Sequence, residues 1–321
     1  MLFLGAGPLL SKDASGSQPE QLMTSEPNLR RMDKEEARKI TAEDYGRVAV
    51  LWDRYWVPAY SLARERLFDI ARLKQGESVL DVGTGTGATA VVAAVTVGGK
   101  GSVLAVDNSK GMLAVAKRKA RKLYLTNLKF KLAGLASLQL PDESFDAVIS
   151  SYGMPDQASD TELALRRLFK AMRRDARLCF CERAGNPKEP DAIIKRLLRK
   201  YRVTEADSKL KTRRRLEALT ASEGKRFHSL YHTEASTIRD VVETAGFTKV
   251  RAFREIFPVK FPKIQTYLDV EFPSSFRDEY AAMPHEFRRK FMGAVLRNLD
   301  RFKTKQGLAW RAGVNFCLAR R

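Results

Sequence analysis

The stretch from Val79 to Gly87 reads VLDVGTGTG. Its first four residues are apolar save for one acid and predict a strand, while Ala88 onward predicts a helix that stops at Gly98-Gly99. The glycines between them let the backbone bend tightly and approach a ligand. Asp81 stands at the strand's carboxyl end, where a carboxylate can hold a cationic amino group. The next predicted strand, SVLAVD, ends in Asp107, 20 residues after Gly87. An acid at that spacing can accept hydrogen bonds from two ribose hydroxyls. Ligands of open α/β sheets bind at the strand carboxyl ends, so the bend and both acids point into one crevice. The letters Gly83-x-Gly85-x-x-Ala88 also satisfy the dinucleotide fingerprint. An acid two residues before the first glycine suits an ammonium and gains nothing from a pyrophosphate, so a nicotinamide cofactor stays an alternative beside the ammonium reading.

Working outward, strand and helix alternate. A helix is expected over about Ser109–Tyr124, a strand at LKFKLA (Leu128–Ala133), and another at FDAVISS (Phe145–Ser151). A helix follows over Asp160–Arg174, then the strand RLCFCER (Arg177–Arg183). This rhythm predicts an α/β fold, a doubly wound and mostly parallel sheet of seven strands with helical insertions. It breaks at about 186–235, a basic helical insertion, and resumes with a helix at Thr237–Thr244 and the strand TKVRAFREI. A second helical insertion, 262–308, precedes the last strand, VNFCLA (Val314–Ala319). Residues 1–40 have no sustained apolar period and are expected to be a poorly ordered leader before one domain over 41–321. Tyr45, Trp52, Tyr55 and Trp56 lie in a helical stretch ahead of the first strand, as core packing or as a cover over the crevice.

On these residues the chain resembles the class I methyltransferases, in particular the ubiquinone/menaquinone-biosynthesis C-methyltransferases and their small-molecule relatives. VLDVGTGTG is similar to that family's first motif, AVDNSKGMLAVAKRKA to its second, and LPDESFDAVISSYGMPD to the segment entering its fourth strand. The resemblance implies a Rossmann-like methyltransferase fold and S-adenosylmethionine as cofactor. It implies that Asp81, Gly83, Thr84, Gly85 and Gly87 line the methionine part, that Asp107 binds the ribose, and that Asn108 and Met112 border the adenine. Ser150 and Tyr152 would sit beside the methionine end. Where the family carries an adenine-binding acid, this chain has Ala133-Gly134-Leu135-Ala136. The Leu135 amide is left to reach an adenine nitrogen, at a loss of about 1 kcal/mol for one hydrogen bond.

A sulfonium methyl is already activated, so no metal is required, and a base is needed only where the acceptor must lose a proton. The candidates are His228 and His232, one helical turn apart in the region leading out of the basic insertion, and Tyr152; His285 reads as structural. The three cysteines form neither a disulfide framework nor a metal set. Cys179 and Cys181 alternate onto one strand face as small apolar residues.

The acceptor is expected to be a small molecule, O- or C-methylated. A net charge of +20 favours an anionic one. Residues 160–226 carry 20 Lys/Arg against 10 Asp/Glu, a phosphate track in the alternative reading of an RNA methyltransferase. A catalytically silent methyltransferase-like binding protein is the third class. No apolar run reaches the roughly 18 residues of a membrane span, and the N-terminus lacks a basic signal region. A cytoplasmic location is expected.

Overall fold

The computed structural model describes residues 26–135, 137–154, 158–201 and 233–321. The chain enters through a long helix, α1 (Glu26–Leu51), a π-helical turn (Trp52–Trp56) and α2 (Ser61–Ala71). Pro58 lies two residues beyond the π-turn, in the first turn of the short helical segment that follows, where a missing backbone N–H is tolerated. β1 (Ser78–Val82), α3 (Ala88–Val97), β2 (Ser102–Asp107), α4 (Lys110–Lys122) and β3 (Leu128–Leu132) then alternate. β4 (Phe145–Ser151), α5 (Ala158–Ala171) and β5 (Met172–Arg183) continue the rhythm.

Beyond β5 come α6 (Pro190–Lys200), α7 (Ala235–Thr244) and β6 (Thr248–Phe261). A helical block follows: α8 (Ile264–Glu271), a second π-turn (Phe272–Phe276), α9 (Arg277–Ala281) and α10 (His285–Leu299). The two-residue β7 (Lys303–Thr304) and β8 (Gly307–Arg320) end the chain. The helical segment expected over 262–308 therefore holds α8 to α10, while β8 already begins at its end.

The strands lie in the order β3-β2-β1-β4-β5-β8-β6, with β7 on β8. β1 to β5 run parallel, and β8 is antiparallel to both β5 and β6. Strand order reverses between β1 and β4, the place where a doubly wound sheet opens a crevice. Both sheet faces are covered. α5 and α7 pack on one through Leu165, Leu168, Ile238 and Val242. α2 and α3 pack on the other through Ala63, Leu67, Ala90 and Ala94. The small side chains of α3 bring its axis close to the sheet, and with it the bend that feeds the helix. Cys179 and Cys181 are buried on this second face. A third core joins the aromatics after α1 to α8 and α10.

Three expected boundaries move. α1 starts at Glu26, inside the stretch expected to be a disordered leader. β5 starts at Met172, inside the helix expected over Asp160–Arg174, with a register irregularity opposite Phe145–Ala147; Asp175 takes φ 60° there. β6 and β8 are 14 residues each, longer than TKVRAFREI and VNFCLA. Their extra length pairs Ile256 with Gly313 through to Phe261 with Leu308. Pro258 and Gly307 disguise the extension in the sequence. β6 is the sheet's edge, where a proline is tolerated.

α1 crosses α4 glycine on glycine. A Cβ on Gly111 would lie 2.5 Å from Gly46 Cα, so the crossing is closer than any side chain permits. Gly111→Ala should cost roughly 1–3 kcal/mol by forcing these helices apart. Gly99→Ala, with nothing within 4 Å of its Cβ, is the matched control. Urea denaturation with both variants checks this, and equal midpoints would remove the close crossing.

Candidate functional site

Asp81 is fully buried on β1, a central strand. One carboxylate oxygen accepts the Thr84 hydroxyl at 2.6 Å; the other, Oδ1, has no hydrogen-bond partner among the described residues. Burial pushes this carboxyl up to about 7, and the Asp107 charge adds to the push. The Thr84 hydroxyl and the Ala90 amide draw it back. A buried carboxylate with an open oxygen suits an incoming ammonium, which would supply both the charge and the missing donor.

Asp107 lies one residue beyond the Val82–Val106 pair of neighbouring strands. Its Oδ2 accepts the Gly85 amide and its Oδ1 the Ser109 amide, each at 2.8 Å. Burial raises its pKa, and the Ser109, Gly85 and Asn108 amides oppose that rise. A carboxylate offers about four acceptor positions, so room remains for two hydroxyl donors. The two acids therefore converge as expected, and Asp107 has the further task of clasping the bend.

The three glycines divide their work. A Cβ on Gly83 would strike Gly153 Cα at 2.4 Å, and one on Gly87 would strike Ala116 Cβ at 2.8 Å. Both serve packing within the protein. Gly85 has nothing within 4 Å of an added Cβ and alone faces open space. At Gly83 and Gly87 the missing Cβ makes room for the protein's own backbone and side chains, and at Gly85 it borders open space.

Other expected contacts are placed differently. Ser150 is buried and donates to Val82 O at 2.8 Å, pinning β4 to β1 instead of facing a ligand. Met112 is buried with Ala49 and Val115 beneath Tyr45 and Trp52. Asn108 is exposed. Leu135 is buried, and its carbonyl accepts Arg167 at 3.4 Å. His228 and His232 lie outside the described residues. His285 opens α10 and is exposed.

The segment ahead of β1 forms a cover. Ser109 Oγ donates to Ala42 O at 2.7 Å. Asp53 Oδ1 accepts both the Thr86 hydroxyl, at 2.6 Å, and the Lys119 ammonium. The strap thereby ties the bend to α4. Trp52 stacks on Trp56 at 4.9 Å, a pair the π-turn brings onto one side.

Beside the bend lies a buried aromatic and polar cluster that sequence reasoning missed, Tyr152 and Trp56 excepted. Tyr152, at φ 60°, packs edge-on against Tyr60 at 5.2 Å, and its neighbour Gly153 abuts Gly83. Trp56 faces Tyr60 and Tyr267, and Tyr267 faces Trp310. The hydroxyls of Tyr152 and Tyr267 and the Trp310 indole N–H are buried without a partner among the described residues. Burial raises both phenols well above their ordinary value. Behind them Arg183 pairs with Glu189 at 3.0 Å and Asp191 at 2.9 Å. Glu271 is pushed up to about 7 by burial and by Asp191. These residues come from β5, α6, α8 and β8, which are far apart in sequence and joined only by the tertiary fold.

Residues 73–233 match the family described as a methyltransferase domain. Aklanonic acid methyltransferase DauC of Streptomyces sp. (strain C5) is 29% identical over 180 residues, covering 51% of this chain and 80% of that protein. The ubiquinone/menaquinone biosynthesis C-methyltransferase UbiE of Pasteurella multocida (strain Pm70) is 33% identical over 115 residues, 36% of this chain and 42% of that protein. Among solved structures, the YcgJ protein from Bacillus subtilis superposes with a TM-score of 0.51 at 15% identity, over 82% of this chain and 97% of its own. That last likeness concerns the fold alone.

The division among the glycines yields a paired outcome. Gly83→Ala should destabilise the fold by roughly 2–4 kcal/mol, from overpacking against backbone plus a strained positive φ. Gly85→Ala, strained at φ 54° but unobstructed, should cost about 1 kcal/mol and mainly impair ligand binding. Thermal melts of both variants check this, and a larger loss from Gly85→Ala would reverse the assignment.

Proposed function

We propose, from the premise that this chain belongs to the methyltransferase-domain family and transfers methyl groups from S-adenosylmethionine, that its acceptor is a small molecule held among Tyr152, Tyr267 and Trp310. One observation carries the placement of the cofactor: the unpartnered Oδ1 of Asp81, buried beside Asp107 at the carboxyl ends of adjoining strands. Asp81 would take the methionine ammonium and Asp107 the ribose hydroxyls, with Gly85 giving the chain above it room to lie close. Thr84 would keep the Asp81 carboxylate oriented. Met112 and Leu135 supply apolar surface for the adenine, and Asn108 stands at the rim.

When bound, the cofactor supplies a methyl on a sulfonium that needs no further activation. The protein's task is then to align an acceptor in line with it and exclude water. Three buried polar atoms without partners support an acceptor bearing oxygen or nitrogen groups, since each such atom left unmet costs about 1–3 kcal/mol. Tyr152 follows β4 beside the Gly83–Gly153 contact and stands next to the methyl end. Its raised pKa keeps it protonated, so it orients the acceptor as a donor and is not the base. Arg64, half buried and donating to Val57 O at 3.1 Å, lies close to Tyr152 and Cys181. A cation there favours an anionic acceptor. The relatives, an aklanonic acid methyltransferase and a ubiquinone/menaquinone biosynthesis C-methyltransferase, support a small-molecule acceptor. Helices α6 and α8 to α10 serve as its cap. Three free, unpaired cysteines agree with a reducing, cytoplasmic setting. Among the described residues no helix is long and apolar enough to cross a membrane.

Isothermal calorimetry with S-adenosylhomocysteine tests the cofactor placement. An ammonium binds only the ionised Asp81, whose pKa stands at about 7. Affinity should therefore fall about tenfold per pH unit below that value and level off above it. Asp81→Asn should weaken binding roughly 10- to 100-fold, the loss of one charge-assisted hydrogen bond, and flatten the pH profile. An unchanged profile in the variant would refute the role. In the ligand-free state the sign is opposite: a raised carboxyl stabilises below its unfolded pKa and loses that contribution as pH rises through about 7. Asp81→Asn should consequently melt at a higher temperature than wild type at pH 8. For the acceptor, Tyr152→Phe should lower kcat roughly tenfold and leave homocysteine-analogue affinity intact. Equal losses in both would move Tyr152 out of the acceptor site.

A further inference from the structure

From Asn108 to Pro141 the sequence holds eight Lys/Arg and no Asp/Glu. Five of the eight, Lys117, Arg118, Lys119, Arg121 and Lys122, crowd the last turns of α4. Lys119 is tied to Asp53. The other four have no ion pair among the described residues. Cations near a helix carboxyl end complement its dipole, which accounts for one or two of them and leaves the rest unexplained. They also flank a recess of about 330 Å³ between the strap and α4, lined by Val50, Asp53, Val115, Arg118, Lys119 and Lys122. Around it apolar groups stand in solvent: Val50 is 62% exposed, Leu123 51% and Tyr124 89%.

We infer that this face docks on an anionic lipid surface, with the recess receiving a headgroup phosphate between Arg118 and Lys122. Diffuse negative charge is met by Lys and Arg as point charges, and the aliphatic stems and Leu123 lie against the headgroup layer. Tyr124, at φ 52° beyond the helix end, projects as an interfacial ring with an apolar body and a polar tip. A single-stranded nucleic acid would want a row of aromatic platforms, and the patch has one. Asp53, the acid in the recess, already carries two hydrogen bonds, so its charge is neutralised by Lys119 and does not oppose an anion.

The test is sedimentation of the full-length chain with phosphatidylglycerol-containing vesicles and with pure phosphatidylcholine vesicles. Wild type should partition onto the anionic vesicles and stay in solution with the neutral ones. Arg118→Ala/Lys122→Ala should lower the partition roughly 25-fold, since each basic residue at such a surface contributes about fivefold. Leu123→Ser/Tyr124→Ser should lower it as well, while both variants keep wild-type S-adenosylhomocysteine affinity as evidence of folding. Equal partition on neutral vesicles, or an unchanged partition for the Arg118/Lys122 variant, would overturn the proposal. So would calorimetric binding of inorganic phosphate without vesicle binding, which marks a soluble-anion site. Displacement of the chain from vesicles by tRNA at equal phosphate would assign the patch to nucleic acid.

Discussion

A carboxylate placed in the interior of a β-sheet is the constraint from which the rest of this structure follows. Desolvation disfavours the charge on Asp81, and the protein offers it one hydroxyl and leaves one oxygen open. A fold optimised for stability alone would place an apolar residue there. The neighbouring parts make sense as means of keeping that carboxylate usable. Thr84 fixes its rotamer, and the Gly85 amide is committed to Asp107. The bend is held open by packing: Gly83 rests on Gly153 and Gly87 on Ala116. Two of the three glycines thus serve the scaffold, and the third borders open space.

The same economy governs what surrounds the crevice. The strap from α1 to the π-turn is fastened by Ser109 to Ala42 and by Asp53 to Thr86 and Lys119. The fastenings reach the bend at Thr86, the residue that caps α4 at Ser109, and the last turn of α4 at Lys119. Against the strap's Trp56, antiparallel β6 and β8 carry Phe261 and Trp310, stacked at 5.8 Å. The aromatic cluster they help build borders the bend through Tyr152. The bend and the aromatic cluster therefore meet at a close backbone contact, Gly83 on Gly153.

Local pattern made much of this legible. β1, α3, β2 and α4 carry their own signals: buried apolar runs, glycine punctuation and acids at strand ends. The meeting of Asp81 and Asp107 follows from those signals plus the rule that parallel strands share one carboxyl edge. Ser150 was misjudged because strand alternation gives a side chain's face and not its partner, and Val82 O turned out to be that partner. The full lengths of β6 and β8 were hidden because their pairing is with each other, and Pro258 and Gly307 read as breaks. The cluster of Tyr60, Tyr267, Trp310, Arg183 and Glu271 left no local trace. Its members lie on separate elements and meet only when the cap closes on the sheet. The helical start at Glu26 has no apolar period to announce it, since α1 is held more by its crossing with α4.

The most direct measurement is a crystal structure of the chain with S-adenosylhomocysteine bound. The geometry requires the homocysteine ammonium within hydrogen-bond distance of Asp81 Oδ1, both ribose hydroxyls on Asp107, and the chain passing over Gly85. Density for the nucleoside in any other place, such as the recess beside Arg118, with Asp81 Oδ1 still unpartnered, would contradict it.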